Sequence, residues 1–451
     1  MGKEYLIQEK PLKAMLIFAL PMIIGNLFQQ FYTMVDSVVV GRFVGEQALA
    51  AVGASYSLTT VFISIAIGGG VGASVITSQY FGAREYGRMK RSVRTALTSF
   101  LVLSVILGSF GLLFSQRIME WLNTPEDALL QASEYLRIYF LGLPFLFMYN
   151  ILSSMFNALG KSRIPLYLLI FSSVFNMILD VILVRNAKMG VAGVAFATLI
   201  AQGISAACSF FLFIREMKQY EGNGDAGFFD RKEFSNMAGI ALPSILQQST
   251  VSIGMMLVQS VVNSFGTEML AGFSAGMRVE SICVVPMAAM GNVMSSYTAQ
   301  NIGAGKYERV RQGYHTGYRI VFVFAAVLCL WLELAYGPLI QMFLGDEGSS
   351  LAFATGTGYL KFIGWFFALI GLKMITDGVL RGAGDMKMFT VANLVNLGIR
   401  VAIAIICAPR WGISFVWTAV PIGWLANYLI SYGEYRTGKW EKSKGQRGSA
   451  S

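Results

Sequence analysis

The sequence predicts an all-α membrane protein whose twelve transmembrane helices form two pseudo-symmetric six-helix bundles around a central cleft. Three observations support this prediction. Of the 451 residues, 55% are hydrophobic and only 13% are charged, whereas soluble domains carry about 25% charged residues. The apolar residues form long continuous runs, and motifs of the first half recur in the second half. Because so few charges cannot cover a soluble surface, we expect the chain to lie in a membrane.

Twelve apolar runs are long enough to cross a bilayer, which takes about 20 residues of α-helix. The first run is longer than the apolar part of a signal peptide and has no small-residue cleavage motif, so we expect it to remain as a span. The predicted spans are 12–38, 48–77, 93–115, 135–158, 164–184, 191–214, 236–262, 270–298, 314–337, 354–380, 387–408 and 412–433.

The lysine and arginine residues predict the orientation of these spans. With the N-terminus in the cytoplasm, the even-numbered loops and both tails hold 24 of them, whereas the outer loops hold five. Cytoplasmic loops of membrane proteins carry such an excess. We therefore expect a multi-pass protein of the inner (plasma) membrane with both termini in the cytoplasm. The net charge of +10 follows from this asymmetry, and the scattered basic residues lack the interleaved aromatic residues of a nucleic-acid surface.

Enzyme chemistry has little support in the sequence. The four cysteines lie in apolar runs without a C-x-x-C pair, and His315 is the single histidine, which disfavours zinc, iron–sulfur and haem sites. The glycine-rich run 68–73 is not followed by the lysine of an ATP-binding loop and is typical of close helix packing. We expect neither an enzyme nor a bound cofactor.

The chain contains an internal repeat. The motif at 19–21 recurs at 241–243, and the pattern at 79–88 recurs 221 residues later at 300–309. Because an even number of spans precedes the second copy, both copies enter the membrane in the same orientation, as in parallel-repeat transporters. The predicted divisions are an N-lobe at 1–214, a cytoplasmic linker at 215–234 and a C-lobe with a basic tail at 235–451.

Few ionisable residues interrupt the spans of the N-lobe. Such residues cost at least ~2.5 kcal/mol at mid-helix and by default mark a pathway or coupling site. Asp36 lies in span 1 after Pro21, which allows a bend. Asp180 lies in span 5 one turn after Asn176, so both share a helix face. With Thr198 of span 6, they predict an oxygen-only cluster for a small hard cation, or a carboxylate pair that holds a proton.

A second interpretation of Asp180 stays open at this point. The residue lies near the outer end of span 5, where it can cap the helix and pair with Arg185, five residues later. The first interpretation makes Asp180 part of a coupling site, and the second makes it structural.

Several segments, taken in order and at their spacing, are similar to motifs of one known family. They are 36–41, 79–83 with its echo at 300–305, 157–161, 190–195 and 380–385. The chain resembles the multidrug and toxin extrusion (MATE) transporters over nearly its whole length.

The resemblance implies a V-shaped pair of six-helix bundles. It also implies the export of cationic, amphipathic compounds in exchange for inward H⁺ or Na⁺. In the family, the positions of Asp36, Asn176, Asp180 and Thr198 match the N-lobe cation site, which holds a metal ion only if the coupling ion is Na⁺. Pro21 matches the proline at the helix kink. We expect a monomer whose partners are small organic cations and the lipid bilayer.

The C-lobe departs from this pattern. The repeat places Val258 and Arg400 at the positions of the two N-lobe acids. Where some family members have a glutamate in span 7, this chain has Gln247 and Gln248, and Asp377 lies nearer the cytoplasmic end of span 10 than the family's aspartate. The sequence therefore leaves open whether the C-lobe holds a cation site of the family type.

The best acidic candidate of the C-lobe is Glu280, near the middle of span 8. It can attract a cationic drug, or it can be neutralised by Lys373 or Arg400 as a structural pair. Aromatic faces attract cations and methionine adapts to varied ligands, although most such side chains in membranes face lipid or other helices. The candidate substrate-binding residues are Glu280, Gln247, Gln248, Tyr32, Tyr149, Met256 and Met287.

One alternative function remains, a flippase for lipid-linked precursors on a related bundle. Such a protein favours a cavity rich in basic residues that bind phosphate. The predicted N-lobe interior is acidic instead, which favours the antiporter.

Overall fold

The structure is a computed structural model that describes residues 4–43, 46–121, 124, 126–222, 227–345 and 348–442. Within its helices, the side chains of 35–43, 46–52, 54, 57, 126–128 and 442 lie outside this description. The described residues are nearly all helical. The helices are α1 (Tyr5–Gln8), α2 (Pro11–Phe43), α3 (Glu46–Gly82), α4 (Tyr86–Trp121), α5 (Glu126–Ala158), α6 (Arg163–Asp180), α7 (Gly190–Met217), α8 (Arg231–Asn263), α9 (Thr267–Gly303), α10 (Tyr307–Leu344), α11 (Ser350–Gly364), α12 (Phe367–Ala383), α13 (Met386–Ile406), α14 (Ala408–Trp411), α15 (Ser414–Arg436) and α16 (Lys439–Lys442), with a π-helical segment at Val181–Asn186.

Ten helices of the described chain are long and apolar enough to cross a membrane, and a bent pair makes eleven. The bent pair is α11 and α12, which meet at 54°. The span predicted at 354–380 covers this bent pair, and its helix is interrupted between Gly364 and Phe367. Glycine has a low helix propensity, and apolarity alone does not report such a break. The span predicted at 412–433 forms α15.

Repeated glycines end corresponding helices in the two halves of the chain. Gly160 follows the end of α5 with φ 76°, and Gly384 ends α12 with φ 78°. This left-handed conformation is strained for residues with a Cβ, so glycine is the usual residue after a helix end. The internal repeat of the sequence thus specifies the same helix termination twice.

The chain divides into two compact units. The N-unit is Ile24–Ile245, and the C-unit consists of Met1–Ile23 and Leu246–Ser451. The chain passes from one unit to the other two residues after Pro21 and two residues after Pro243, which lie inside α2 and α8. The first part of α2 thus belongs to the C-unit, and the first part of α8 belongs to the N-unit.

Small residues of α3 let neighbouring helices approach closely in the N-unit, as the glycine-rich run predicts. A Cβ on Gly72 would lie 2.6 Å from the Cβ of Ala241, and one on Gly68 would lie 2.6 Å from the Cα of Ile245. Real side chains do not approach so closely, so only glycine permits this contact. The run therefore serves packing.

The C-unit is built around α9, whose second half is almost entirely buried. Helices α10, α11 and α12 pack on it. A Cβ on Gly378 would lie 2.5 Å from the carbonyl oxygen of Gly291, so α12 approaches the α9 backbone directly. This close packing fixes the position of the polar side chains on α12.

Candidate functional site

A polar cluster lies inside the N-unit on one face of α6. Asn176 and Asp180 are one helical turn apart and are 2% and 1% exposed. Burial of an amide and a carboxylic acid is costly without polar partners. The structure places both residues on one face of α6, as the sequence predicts, and both side chains are buried.

Hydrogen bonds connect Asn176 to two neighbouring helices. The hydroxyl of Tyr32 in α2 donates to Asn176 Oδ1. The amide nitrogen Nδ2 of Asn176 donates to Thr198 Oγ1 in α7 over 3.4 Å, and this hydroxyl donates to the carbonyl oxygen of Val194 over 3.1 Å. The cluster thus joins α2, α6 and α7. Tyr32, a candidate substrate-binding residue in the sequence, belongs to this cluster.

The helical geometry changes directly after Asp180. This residue ends α6, and Val181–Asn186 continues as a π-helical segment. A π-helical turn is wider than an α-helical turn and occurs frequently at functional sites. Arg185, the alternative partner of Asp180, lies within the segment. The chain then turns at Lys188, whose φ is 55°.

The other predicted member of the cluster, Asp36, lies in α2 four residues after Tyr32. Its side chain lies outside the described residues. Pro21 lies inside the same helix and is buried. The described chain gathers no group of three or more histidine, cysteine, aspartate or glutamate side chains that could hold a metal ion. The described oxygens of the N-unit cluster come mainly from neutral side chains.

A second polar cluster lies in the C-unit and contains an internal ion pair. Lys373 Nζ is 3.1 Å from Asp377 Oδ2, one turn along α12, and the two side chains are 5% and 4% exposed. The hydroxyl of Ser431 in α15 donates to Asp377 Oδ1 over 2.6 Å. Lys373 Nζ also donates to Asn393 Oδ1 over 3.4 Å. Gln247 Nε2 donates to the same Asn393 oxygen over 3.3 Å.

Sequence reasoning missed most of this C-unit network. It considered Lys373 as a partner of Glu280 and did not consider Asn393 or Ser431. A signal was present, since residues 373 and 377 are spaced i, i+4, which puts opposite charges next to each other on a helix.

Glu280 in α9 accepts a hydrogen bond from the hydroxyl of Tyr359 in α11. The positive charge of Arg400 also acts on it. Glu280 is half-buried, with a hydroxyl donor in contact with it and the charge of a guanidinium group acting on it. Both interpretations, a substrate site and a structural pair, remain compatible with this position.

The remaining candidate substrate-binding residues differ in exposure. Met287 is fully buried in the C-unit core, next to Gly371, whereas Met256 is 46% exposed. Gln248 and Tyr149 are half-buried on α8 and α5. Met287 is therefore positioned to pack the core, and the other three have accessible surface.

A family model described as MatE matches residues 21–182 and 243–406, one match in each repeat. The chain belongs to the MatE family of transporters. This match confirms the family that the sequence motifs predict, which is a family of membrane transport proteins.

Relatives and solved structures extend the match over the whole chain. The probable multidrug resistance protein YpnP of Bacillus subtilis is 29% identical over 447 residues, which cover 97% of both proteins. An FAD transporter of Shewanella oneidensis is 25% identical over 342 residues, 74% of this chain and 75% of that protein. A solved outward-facing multidrug resistance MATE family transporter has a TM-score of 0.88 at 22% identity and covers 98% of this chain and 99% of its own. The predicted fold class of twelve helices in two lobes is thereby confirmed.

Proposed function

We propose that this MATE transporter is a secondary antiporter that exports cationic, amphipathic compounds in exchange for inward H⁺ or Na⁺. One observation carries the proposal. A buried aspartate and asparagine lie one turn apart on α6, and side-chain hydroxyls of α2 and α7 bond to that asparagine. The names of the multidrug relatives support the substrate class.

The N-unit cluster is the proposed coupling site, formed by Asp36, Asn176, Asp180 and Thr198. Carboxylate, amide and hydroxyl oxygens are suitable ligands for a hard cation. Protonation of a carboxylate instead converts an acceptor into a hydrogen-bond donor. Either event changes how α2 bonds to α6, because Tyr32 on α2 donates to Asn176.

Energy for export comes from the inward movement of the cation. Each charge contributes ~2.3 kcal/mol per 100 mV of membrane potential, and the concentration gradient adds to this. We propose that cation binding changes α2 near Pro21, where a helical backbone donor is missing and the chain passes between the two units. The same proposal includes three further predictions. They are lobe boundaries at 214 and 235, a location in the plasma membrane with both termini in the cytoplasm, and a monomeric state.

Transport in proteoliposomes tests this proposal. Purified protein is reconstituted, and efflux of a fluorescent organic cation is measured with a Na⁺ gradient alone, with a pH gradient alone and with neither. We expect one of the gradients to drive efflux and the double variant Asp36→Asn/Asp180→Asn to lose that drive. Efflux that responds to neither gradient would exclude antiport, and wild-type rates in the double variant would exclude the N-unit site.

An anionic or lipid-linked substrate is the second candidate, and the C-unit gives it an observation of its own. Lys373, Arg381 and Arg400 all lie in its helices α12 and α13, and the Shewanella oneidensis relative is named as an FAD transporter. The same liposomes loaded with a flavin nucleotide, or with a fluorescent lipid-linked phosphate, distinguish this candidate. Movement of these anions without movement of organic cations would replace the first proposal.

Glu280 is the proposed acidic contact for substrate. Glu280→Gln removes one negative charge and should weaken the export of dicationic compounds more than that of monocationic compounds, because the lost attraction scales with substrate charge. Apparent KM values for a matched pair of compounds measure this. Glu268→Gln, an exposed residue of the same helix, is the control. Equal losses for both compounds would assign Glu280 to a structural pair with Arg400.

A further inference from the structure

A cavity of about 530 Å³ opens on the N-unit between the first part of α4 and the last part of α7. Its walls are apolar over most of their length. Leu97 and Leu101 of α4 face it from one side, and Phe210 and Ile214 of α7 face it from the other. Leu101, Phe210 and Ile214 are each more than one third exposed. Both helices are long and apolar enough to cross a membrane, so these walls are expected to lie at the depth of the acyl chains.

One end of the cavity is basic. Lys90 and Arg94 lie in the first three turns of α4, and Lys218 follows the last residue of α7. Lys90 Nζ donates to the carbonyl oxygen of Gly222 over 3.3 Å, which leaves further donors on an ammonium group that has three. A ligand therefore meets positive charge at one end of the cavity and hydrocarbon along the rest.

The segment before α8 forms part of the wall and is fixed to α4. The hydroxyl of Thr98 donates to the carbonyl oxygen of Phe228 over 3.1 Å, and the backbone N–H of Asp230 donates to Thr95 Oγ1 over 3.0 Å. These bonds place the Phe228 ring at the cavity, where it is 78% exposed. A ring this exposed gains from contact with hydrocarbon.

Tyrosines occupy the corresponding positions in the C-unit. Because α10 repeats α4 at an offset of 221 residues, Tyr314 and Tyr318 stand where Val93 and Leu97 stand in the N-unit. The Tyr314 ring stacks on Tyr435 of α15 with ring centroids 4.0 Å apart. The hydroxyls of Tyr314 and Tyr318 both contact Thr376 Oγ1 at 3.0 Å. The residues that line the N-unit cavity are thus not repeated in the C-unit.

We propose that this cavity is a binding site for an anionic phospholipid, with the phosphate at Lys90, Arg94 and Lys218 and an acyl chain between α4 and α7. Basic pockets between transmembrane helices recognise lipid head groups in this way. The basic end disfavours an organic cation, and the apolar walls have no role for a small aqueous anion. With the N-terminus in the cytoplasm, the lipid comes from the cytoplasmic leaflet.

Lipid retention by the purified protein tests this site independently of transport. The protein is extracted in mild detergent and supplied with equal amounts of phosphatidylglycerol and phosphatidylcholine, and bound lipids are counted by native mass spectrometry. We expect the wild-type protein to prefer phosphatidylglycerol. The triple variant Lys90→Gln/Arg94→Gln/Lys218→Gln should lose this preference, since each basic residue near a lipid head group contributes roughly a fivefold difference in affinity.

Two further proteins make the result specific. Lys10→Gln/Lys387→Gln/Arg410→Gln removes the same charge from exposed positions outside the cavity and should keep the preference. Ile214→Trp keeps the three charges but fills the acyl-chain wall and should reduce retention of phosphatidylglycerol. Millimolar inorganic phosphate should displace little phosphatidylglycerol from the wild-type protein, because phosphate lacks the acyl chain.

Three outcomes would overturn the proposal. The first is an unchanged lipid preference in the cavity triple variant, and the second is an equal loss of preference in the control triple variant. The third is full retention of phosphatidylglycerol by Ile214→Trp, which would mean that the lipid binds to surface charges only. If the cavity triple variant does not stay monodisperse in detergent, the Ile214→Trp protein and the single variant Lys218→Gln decide the question. Loss of transport in any variant has no bearing on this result.

Discussion

The N-unit and the C-unit each contain a buried carboxylate, in surroundings of different character. In the C-unit, Asp377 has the ammonium group of Lys373 at 3.1 Å and the hydroxyl of Ser431 at 2.6 Å. In the N-unit, Asp180 lies one turn from Asn176, whose described bonds go to the hydroxyls of Tyr32 and Thr198. The first cluster has a fixed cation within it, and the second offers neutral oxygens beside an acid.

Under the proposed function, this difference distinguishes a structural ion pair in the C-unit from the coupling site proposed for the N-unit. A buried ion pair stabilises little by itself, but the removal of one partner is costly. A cation that enters the C-unit cluster must compete with Lys373 for the same carboxylate. The repeat has therefore diverged, and the proposed coupling site is the one in the N-unit.

The segments that precede α2 and α8, the helices that contain Pro21 and Pro243, show a similar divergence. In the C-unit, α1 and the residue after it are held by the end of α9 and the start of α10. Asn301 Nδ2 donates to Leu6 O over 3.1 Å, and Arg309 Nη2 donates to Glu9 O over 2.7 Å. In the N-unit, residues 227–230 are held on α4 by Thr95 and Thr98. Both units fix the chain ahead of the proline, but with different residues.

The largest expected effect concerns Asp180. Asp180→Asn should reduce ion affinity roughly ten- to hundredfold, because a contact to a charged group contributes about 1.5–3 kcal/mol and each 1.4 kcal/mol is tenfold. Gradient-driven efflux at subsaturating ion concentration measures this. Asp230→Asn, the same change in the segment before α8, is the matched control. An unchanged ion dependence in Asp180→Asn would return this residue to its structural interpretation with Arg185.

The next effect concerns the stability of the C-unit. Lys373→Met and Asp377→Leu, made singly, should each destabilise the protein by about 3–5 kcal/mol, since each leaves an uncompensated buried charge. The double variant should recover most of this loss, because it removes both charges. Thermal unfolding in detergent measures all three. Single variants that unfold like the wild type but lose ion coupling would move the coupling site to the C-unit.

A smaller effect is expected from the hydroxyls around Asn176. Tyr32→Phe and Thr198→Val each remove one hydrogen-bonding group, so each should weaken ion affinity about two- to tenfold, from about 0.5–1.5 kcal/mol per bond. Tyr167→Phe, an exposed tyrosine of α6, controls for loss of a phenol hydroxyl. If the variants change the folding yield but not the ion dependence, the hydroxyls only fix the helices.

The sequence predicted the elements of this molecule better than their contacts. Long apolar runs determine that helices form, and the helices appear at the predicted places, with repeated glycines at two ends. Asn176 and Asp180 were predicted to share a face because i, i+4 spacing is a local property of a helix. The bond from Tyr32 to Asn176 joins residues 144 positions apart, and no local pattern encodes it.

The C-unit network shows why such contacts escape sequence reasoning. Helices that are apolar on all sides give a weak signal of which face points inward. The neighbours of Asp377 then depend on how α12 and α15 are rotated, which close packing such as that of Gly378 against Gly291 decides. The break between α11 and α12 likewise lies at a position that composition describes as one apolar run.

The smallest expected effect concerns the start of α8. Asp230 Oδ1 accepts the backbone N–H groups of Lys232 at 2.8 Å and Glu233 at 3.0 Å, and its carboxylate lies 3.5 Å from Arg91 Nη1. The hydrogen bond from the Glu233 backbone, followed by that from Lys232 and the charge of Arg91, holds the pKa of Asp230 below its usual range.

The sign of the pH dependence follows from this lowered pKa. The contribution of Asp230 is present above the ordinary pKa of an aspartate and is lost as the pH falls through the lower folded-state pKa. Asp230→Ala should cost about 1 kcal/mol at neutral pH, the usual loss for a helix N-cap. Asp230→Asn keeps the cap and loses only the half-buried ion pair with Arg91, so it should cost less than about 1 kcal/mol. Thermal unfolding at neutral and acidic pH separates the two, because the difference between the wild-type protein and Asp230→Asn should vanish in acid. A stability difference that persists in acid would show that Asp230 acts through packing. The start of α8 would then be held in place without a contribution from the charge of Asp230.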